Sequence, residues 1–366
     1  MKKLTRFVLC FVLCLALNIP SAGALSVGAS SAILIDGESG RVLWEHNAHE
    51  KRYIASITKL MTALVVMESG HKLDELVEIK PEYTGAEGSS MYLQSGEKLS
   101  IEALMYGLLL ASGNDAAVAL AGYCSGSVEA FVAQMNRKAA LLGMENSHFV
   151  NPNGLTQEGH CSTAADMAKL AAACMDNETI AKIVATRSIS IGGRTFTNHN
   201  KLLWRYEGCV GMKTGYTERS GRTLISCAER SGQRLIVVTL NDPDDWTDHT
   251  ALLDYGFANF TRTQIVSGGA VRSKLPITGS LLSFVNVETG ATIHYPLAQG
   301  EQVREEVSLV RWLHAPVTKG QTAGTVTYYL DDEIIAVCPL VYGSSVALNV
   351  LSRRNLIDRM LDLFQP

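Results

Sequence analysis

Hydrophobic and polar positions change rhythm several times along the chain. After residue 30, "AILIDGESGRVLWEH" alternates as two short strands around a Gly-Glu-Ser-Gly turn. From about Ser56 to Ala185 the apolar spacing becomes three and four residues, as in "LSIEALMYGLLLASGNDAAVALAGYC" and "STAADMAKLAAACM", which predicts packed helices. Strands return at "GRTLISCAER" and "QRLIVVTLND", joined by Ser231-Gly232, and "WTDHTALLDYGFANF" then reads as a helix. This order predicts an α/β domain with a helical lobe inserted between two halves of its sheet.

Between Thr261 and Lys274 the composition shifts. Beyond it, "ATIHYPL", "TVTYYL" and "EIIAVCPLVY" predict a small β domain over residues 275–345, with the last two strands joined across Asp331-Asp332. The closing segment, "NVLSRRNLIDRMLDLFQP", puts Leu356, Ile357, Met360, Leu361 and Phe364 on one side of a helix, with Arg353, Arg354 and Arg359 among the polar positions. An amphipathic helix over 346–366 is expected, either touching a membrane surface or docked on its own domain.

The N-terminus speaks to location. Lys2, Lys3 and Arg6 precede an apolar run from Phe7 to Leu17 that is too short to span a bilayer, and Ala22-Gly23-Ala24 supplies a small-x-small cleavage site. Residues 1–24 are expected to be a signal peptide, with the mature chain starting near Leu25. Leu13 before Cys14 is too large for a good lipoprotein site, so an exported, unlipidated chain is expected.

Removing residues 1–24 takes away three basic residues and no acids, moving the formal charge from −4 to about −7. That balance argues against nucleic acid as a partner. Cys124, Cys161, Cys174, Cys209, Cys227 and Cys338 form no C-x-x-C pair and read as small hydrophobes, although export permits disulfides. The nine histidines show no H-E-x-x-H spacing, so neither a metal nor a cofactor is expected.

Candidate chemistry begins at "IASITKLMTA". On a helix Ser56 and Lys59 share a face, so hydroxyl and amine meet the same space. A serine nucleophile needs a base, and a lysine can serve if burial or a second cation lowers its pKa. Alone, S-x-x-K is a weak signal, since an N-cap serine followed by a first-turn lysine is a common structural arrangement. Two further segments change the weighing: "LLLASGNDAA" supplies Ser112-Gly113-Asn114, and "CVGMKTGYTERSG" supplies Lys213-Thr214-Gly215. S-x-x-K, S-x-N and K-T-G in this order are the motif set of penicillin-binding proteins and class A β-lactamases.

With these motifs, the sequence resembles the low-molecular-mass penicillin-binding proteins, the serine D-alanyl-D-alanine carboxypeptidases. "SSAILIDGESGRVLWEHNAHEKRYIASITKLMTAL", "HFVNPNGL", "GHCSTAADMAKLA" and "GCVGMKTGYT" carry the likeness, which covers nearly all of residues 27–364. The resemblance implies a serine β-lactamase/transpeptidase-like catalytic domain over 25–262, followed by the small β domain and the amphipathic helix.

It also implies roles: Ser56 as nucleophile, Lys59 as its base and Ser112 as a proton relay to the leaving amine. Asn114 would meet the substrate backbone, while Lys213 and Thr214 hold the terminal carboxylate. Gly215 would let the substrate lie against the strand, and the N–H groups of Ser56 and Tyr216 would form the oxyanion hole. The implied substrates are peptidoglycan stem peptides, with β-lactams as covalent inhibitors.

One departure stands out. Some members carry an arginine after the strand that follows the K-T-G hairpin, where "NDPDDWTDHTA" has none. Carboxylate binding is then expected to rest on Lys213, Thr214 and Thr217. A class A β-lactamase would need an E-x-x-L-N loop between Asn114 and Lys213, and none is there. The motifs are also compatible with a cross-link endopeptidase and with a non-catalytic β-lactam sensor, the latter disfavoured by intact Ser56, Lys59, Ser112 and Lys213.

Overall fold

The computed structural model describes residues 25–349. The expected signal peptide and most of the expected C-terminal helix lie outside the described residues. The chain divides into two compact units. One gathers the residues through Leu34, Trp44–Ser226 and Val237–Tyr255, and the other gathers Ile35–Leu43, Cys227–Ile236 and the chain from Gly256.

In chain order, β1 (Ser31–Asp36) and β2 (Val42–His46) form the first hairpin. A 3-10 turn, Ala55–Thr58, leads into α1 (Lys59–Glu68). The lobe continues with β3 (Leu76–Glu78), β4 (Lys98–Ser100), α2 (Ile101–Leu109), α3 (Asn114–Ser125) and α4 (Val128–Leu141). It closes with α5 (Ala164–Met175), α6 (Glu178–Ala185), β5 (Ser188–Ile191), β6 (Arg194–Thr197) and α7 (Leu202–Arg205). Then come β7 (Cys209–Gly211), β8 (Thr214–Thr217), β9 (Gly221–Arg230), β10 (Gln233–Leu240) and α8 (Asp245–Asn259). The main sheet runs β2-β1-β10-β9-β7, with β8 paired to β9. This is the helical insert between sheet halves that the apolar rhythm predicts, although two small antiparallel strand pairs, β3–β4 and β5–β6, interrupt the helices.

Helix starts follow their capping chemistry. Ser100, Ser127 and Thr163 accept from the backbone N–H three residues on, and Asn177 accepts from Thr179 and Ile180. α1 is buried around most of its circumference, from Lys59 to Val66, so it is a central helix of the lobe and not an amphipathic surface one. β9 and β10 carry unbroken buried runs, Thr223–Ala228 and Leu235–Leu240, as expected of strands covered on both faces.

The second unit continues with β11 (Phe260–Val266), β12 (Val271–Thr278), β13 (Phe284–Thr289), β14 (Ile293–Ala298), β15 (Val303–Leu309), β16 (Leu313–His314), β17 (Thr322–Leu330) and β18 (Glu333–Tyr342). A six-stranded sheet, β15-β17-β18-β13-β12-β16, and the β11–β14 pair surround a core that includes Val285, Val287, Val326, Cys338 and Leu340. The β structure starts at Phe260, ahead of the expected residue 275. β11 carries four consecutive polar residues, Thr261–Gln264, and so does not stand out by hydrophobicity, yet it is fixed by antiparallel pairing with β14.

Candidate active site

Burial of α1 explains the first feature of the site. Because the helix runs through the lobe core, Lys59 at its first position is fully buried, while Ser56 in the preceding turn is only half-buried. Lys59 Nζ lies 2.9 Å from Ser56 Oγ, 2.6 Å from Asn114 Oδ1 and 2.6 Å from the Asn153 carbonyl. The amide of Asn114 is oriented by its other end, since Nδ2 donates to the Glu87 carbonyl at 2.6 Å. Two of the three partners of Nζ can therefore only accept. A neutral amine donates to both, which leaves its lone pair for the Ser56 hydroxyl.

Electrostatics favour that neutral form. Burial holds Lys59 well below the ordinary lysine value, the neighbouring Lys213 charge lowers it further, and Asp115 opposes. Lys213 is itself buried, donates from Nζ to the Thr214 carbonyl at 2.8 Å, and is pushed down to about 7 by burial. Asp115 accepts from Ser90 Oγ and from the N–H groups of Met91 and Leu93, tying the segment that carries Ser89 to the start of α3.

The strand that bears the third motif is positioned by register. Lys213 and Ile225 exchange both backbone bonds, at 3.1 and 2.9 Å. Antiparallel pairing alternates, so Gly215↔Thr223 is again a bonded pair and Tyr216↔Arg222 is not. The N–H and C=O of Thr214 and Tyr216 thus point off the edge of β8 away from β9. A Cβ on Gly215 would come within 2.5 Å of Thr223 Oγ1 and 2.9 Å of the Ser56 nitrogen. Glycine is required here so that β8 can sit against the Ser56 turn, a reason other than the substrate contact expected from sequence.

At the start of each motif, or just before it, stands a non-glycine residue with left-handed backbone: Ala55 at φ 49°, Ser112 at 61° and Met212 at 96°. Such conformations each cost on the order of 1–3 kcal/mol and need the surrounding fold to hold them. The loop "HFVNPNGL" supplies part of that hold, because Gly154 at φ 86° leaves room for the Ala55 carbonyl, which a Cβ would meet at 2.0 Å.

A cleft of about 540 Å³ opens over Ser56, lined also by Ser112, Thr214, Tyr216, His199 and Trp246 among others. Of the residues singled out from sequence, Ser56, Ser112, Thr214, Gly215 and Tyr216 line it, while Lys59, Asn114 and Lys213 lie buried outside its lining. Asn114, expected to meet the substrate backbone, accepts from Lys59 Nζ through Oδ1 and donates one of its two Nδ2 hydrogens to the Glu87 carbonyl, so it also orients Lys59. Thr217 exchanges hydrogen bonds with Ser220 across the β8–β9 turn.

Sequence reasoning missed the Asn153 carbonyl, Asp115, His199 and the Arg222–Asp245–Trp246 group. The Pro-Asn-Gly turn that presents Asn153 is a usable signal, whereas a carbonyl ligand leaves no side-chain signature. Among the described residues no group of three His, Cys, Asp or Glu side chains is placed to hold a metal ion.

A half-buried serine, a buried amine 2.9 Å from its hydroxyl and a free strand edge over an open cleft are the parts that a serine acyl-transfer hydrolase needs. The chain belongs to the D-alanyl-D-alanine carboxypeptidase family, peptidase S11, which matches residues 18–244; the penicillin-binding protein 5 C-terminal domain matches residues 260–347. It is similar to D-alanyl-D-alanine carboxypeptidase DacF of Bacillus subtilis, with 33% identity over 85% of this chain and 84% of that protein. It is 31% identical to DacA of Escherichia coli K12 over 93% of this chain and 88% of the relative. Among solved structures, penicillin-binding protein 5 from Haemophilus influenzae superposes with a TM-score of 0.76 at 31% identity, covering 88% of this chain and 98% of that one. The start of the second match at residue 260 coincides with the start of β11.

Proposed function

We propose that this D-alanyl-D-alanine carboxypeptidase uses Ser56 as nucleophile and neutral Lys59 as base. Ser56 Oγ attacks the carbonyl between the two terminal D-alanines as its proton passes to Lys59 Nζ. The oxyanion is received by the N–H groups of Ser56 and Tyr216, the latter supported by the register that frees the Tyr216 N–H. Collapse breaks the C–N bond, and the leaving amine takes a proton through Ser112. Water then cleaves the Ser56 ester, releasing the shortened stem and restoring the hydroxyl. Lys213 keeps Lys59 neutral and, with Thr214, draws the terminal carboxylate.

The observation that carries this reading is the 2.9 Å approach of Lys59 Nζ to Ser56 Oγ with its other two bonds on obligate acceptors. The substrates are peptidoglycan stem peptides on the outer side of the membrane. Residues 1–24 would direct export, and the apolar-cationic pattern of 346–366 supports peripheral contact with the membrane's outer face. β-lactams acylate the same hydroxyl, and a long-lived adduct is supported by the cleft lining, where Asp245, the carboxylate among its described residues, is already engaged by Arg222.

The test is release of D-alanine from diacyl-L-Lys-D-Ala-D-Ala by purified residues 25–366, beside Ser56→Ala. Release by the parent alone is expected. No release by the parent, or equal release by both, overturns the assignment.

A further inference from the structure

The sequence lacks an arginine where some relatives place one for the substrate carboxylate, and the structure offers another cation in the same cleft. We propose that Arg222, fixed by Asp245 and Trp246, makes the direct ion pair with the carboxylate of the substrate, while Lys213 attracts it through its charge from behind the cleft wall. This deepens the carboxypeptidase reading and rests on it.

Register places the residue. Arg222 stands opposite Tyr216 in the β8–β9 pair, and Thr214 lies opposite Leu224, so Arg222 and Thr214 are diagonal neighbours on one face. Diagonal positions are roughly 7–8 Å apart, within reach of an arginine. Arg222 and Thr214 both line the cleft that holds Ser56.

The guanidinium is held before any ligand arrives. Asp245, the first residue of α8 and itself 3% exposed, accepts from Nε and Nη2. The Trp246 ring centroid lies 5.6 Å from the guanidinium carbon. Asp245 takes the side edge of the planar fork, and the end edge formed by the two terminal nitrogens is the one suited to a second, bidentate carboxylate. A fork whose plane is already fixed loses less freedom on binding than a mobile side chain.

The other cations fit this task less well. Lys213 is buried, does not line the cleft, and its Nζ donates to the Thr214 carbonyl. Lys201 lines the cleft but is exposed at its rim. Pairing with Asp245 raises the pKa of Arg222 and keeps it charged.

The experiment measures acylation of Ser56 by benzylpenicillin and by its methyl ester in the parent, Arg222→Ala, Arg222→Lys and Lys201→Ala. Arg222→Ala is expected to slow acylation by the free acid about ten- to a hundredfold while leaving the ester rate unchanged, since only the acid carries the charge. Arg222→Lys should recover part of the loss, and Lys201→Ala should match the parent with both compounds. Unchanged acylation of Arg222→Ala by the free acid overturns the proposal, as does equal slowing with acid and ester, which marks a merely structural role. D-alanine release by the parent is followed in the same preparations. Its absence together with a selective free-acid effect would reject the carboxypeptidase reading and leave the carboxylate role of Arg222 standing.

Discussion

Lys59 Nζ and Asn114 Oδ1 lie 2.6 Å apart, with the amide locked from its far end by the Glu87 carbonyl. The base is therefore aimed at Ser56 by a neutral acceptor. Asn114→Asp would place a negative charge against Lys59, favour its ammonium and raise its pKa. We expect acylation at neutral pH to fall about tenfold or more, with recovery as pH rises. Asn114→Ala should lower the rate at every pH without that recovery. Stopped-flow acylation by a chromogenic β-lactam across the pH range separates the two outcomes.

The two buried lysines predict a bell-shaped profile. Lys59 acts only when neutral, so activity rises through its lowered pKa as pH increases. Lys213 supports the site only when charged, so kcat/KM of the free enzyme falls as pH passes about 7. A bound carboxylate favours the ammonium form of Lys213, and the alkaline limb of kcat is expected at higher pH than that of kcat/KM. Superimposable alkaline limbs would contradict a Lys213–carboxylate interaction.

Gly215 tests how closely strand and nucleophile must meet. In Gly215→Ala the new Cβ would sit 2.5 Å from Thr223 Oγ1 and 2.9 Å from the Ser56 nitrogen, forcing β8 or the turn to move. A displacement of about 1 Å costs on the order of 10²-fold in rate. The site is at a sheet edge, so the melting temperature should fall much less than the activity. Parallel assays of D-alanine release and thermal unfolding check this, and an unimpaired rate would show the contact to be slack.

How far the site is legible from the chain follows from what each residue does. Ser56, Lys59 and the Lys213–Gly215 run announce themselves because the chemistry needs those side chains in that order. An arginine sought near 241–251 is sought in the wrong place, since Arg222 reaches the cleft only through the β8–β9 register, and register is a property of the folded hairpin. Asn153 contributes a carbonyl, which every residue has. The rhythm of apolar positions locates the lobe, yet it cannot flag β11, whose pairing with β14 and not its hydrophobicity makes it a strand.

His160 ties the nucleophile turn to acid stability. Its Nδ1 accepts from the Val150 N–H at 3.2 Å, so Nε2 carries the proton and donates to Thr58 Oγ1 at 2.8 Å. Protonating Nδ1 would set two donors against each other, and burial, aided by the His148 charge, lowers the pKa to about 4. The unfolded chain takes up this proton near 6.5 while the folded protein refuses it until about 4. Stability from neutral His160 is therefore complete above about pH 6.5, declines as pH falls toward 4, and is level below. His249, held between Ser226 Oγ and Thr239 Oγ1 and lowered to about 3 by burial, adds a second proton in the same sense. Each such proton contributes a slope of up to about 1.4 kcal/mol per pH unit. Urea unfolding between pH 5 and 6.5 should show His160→Gln with a slope smaller than the parent's by about one proton, and a parallel slope would mean that His160 is protonated in the folded protein.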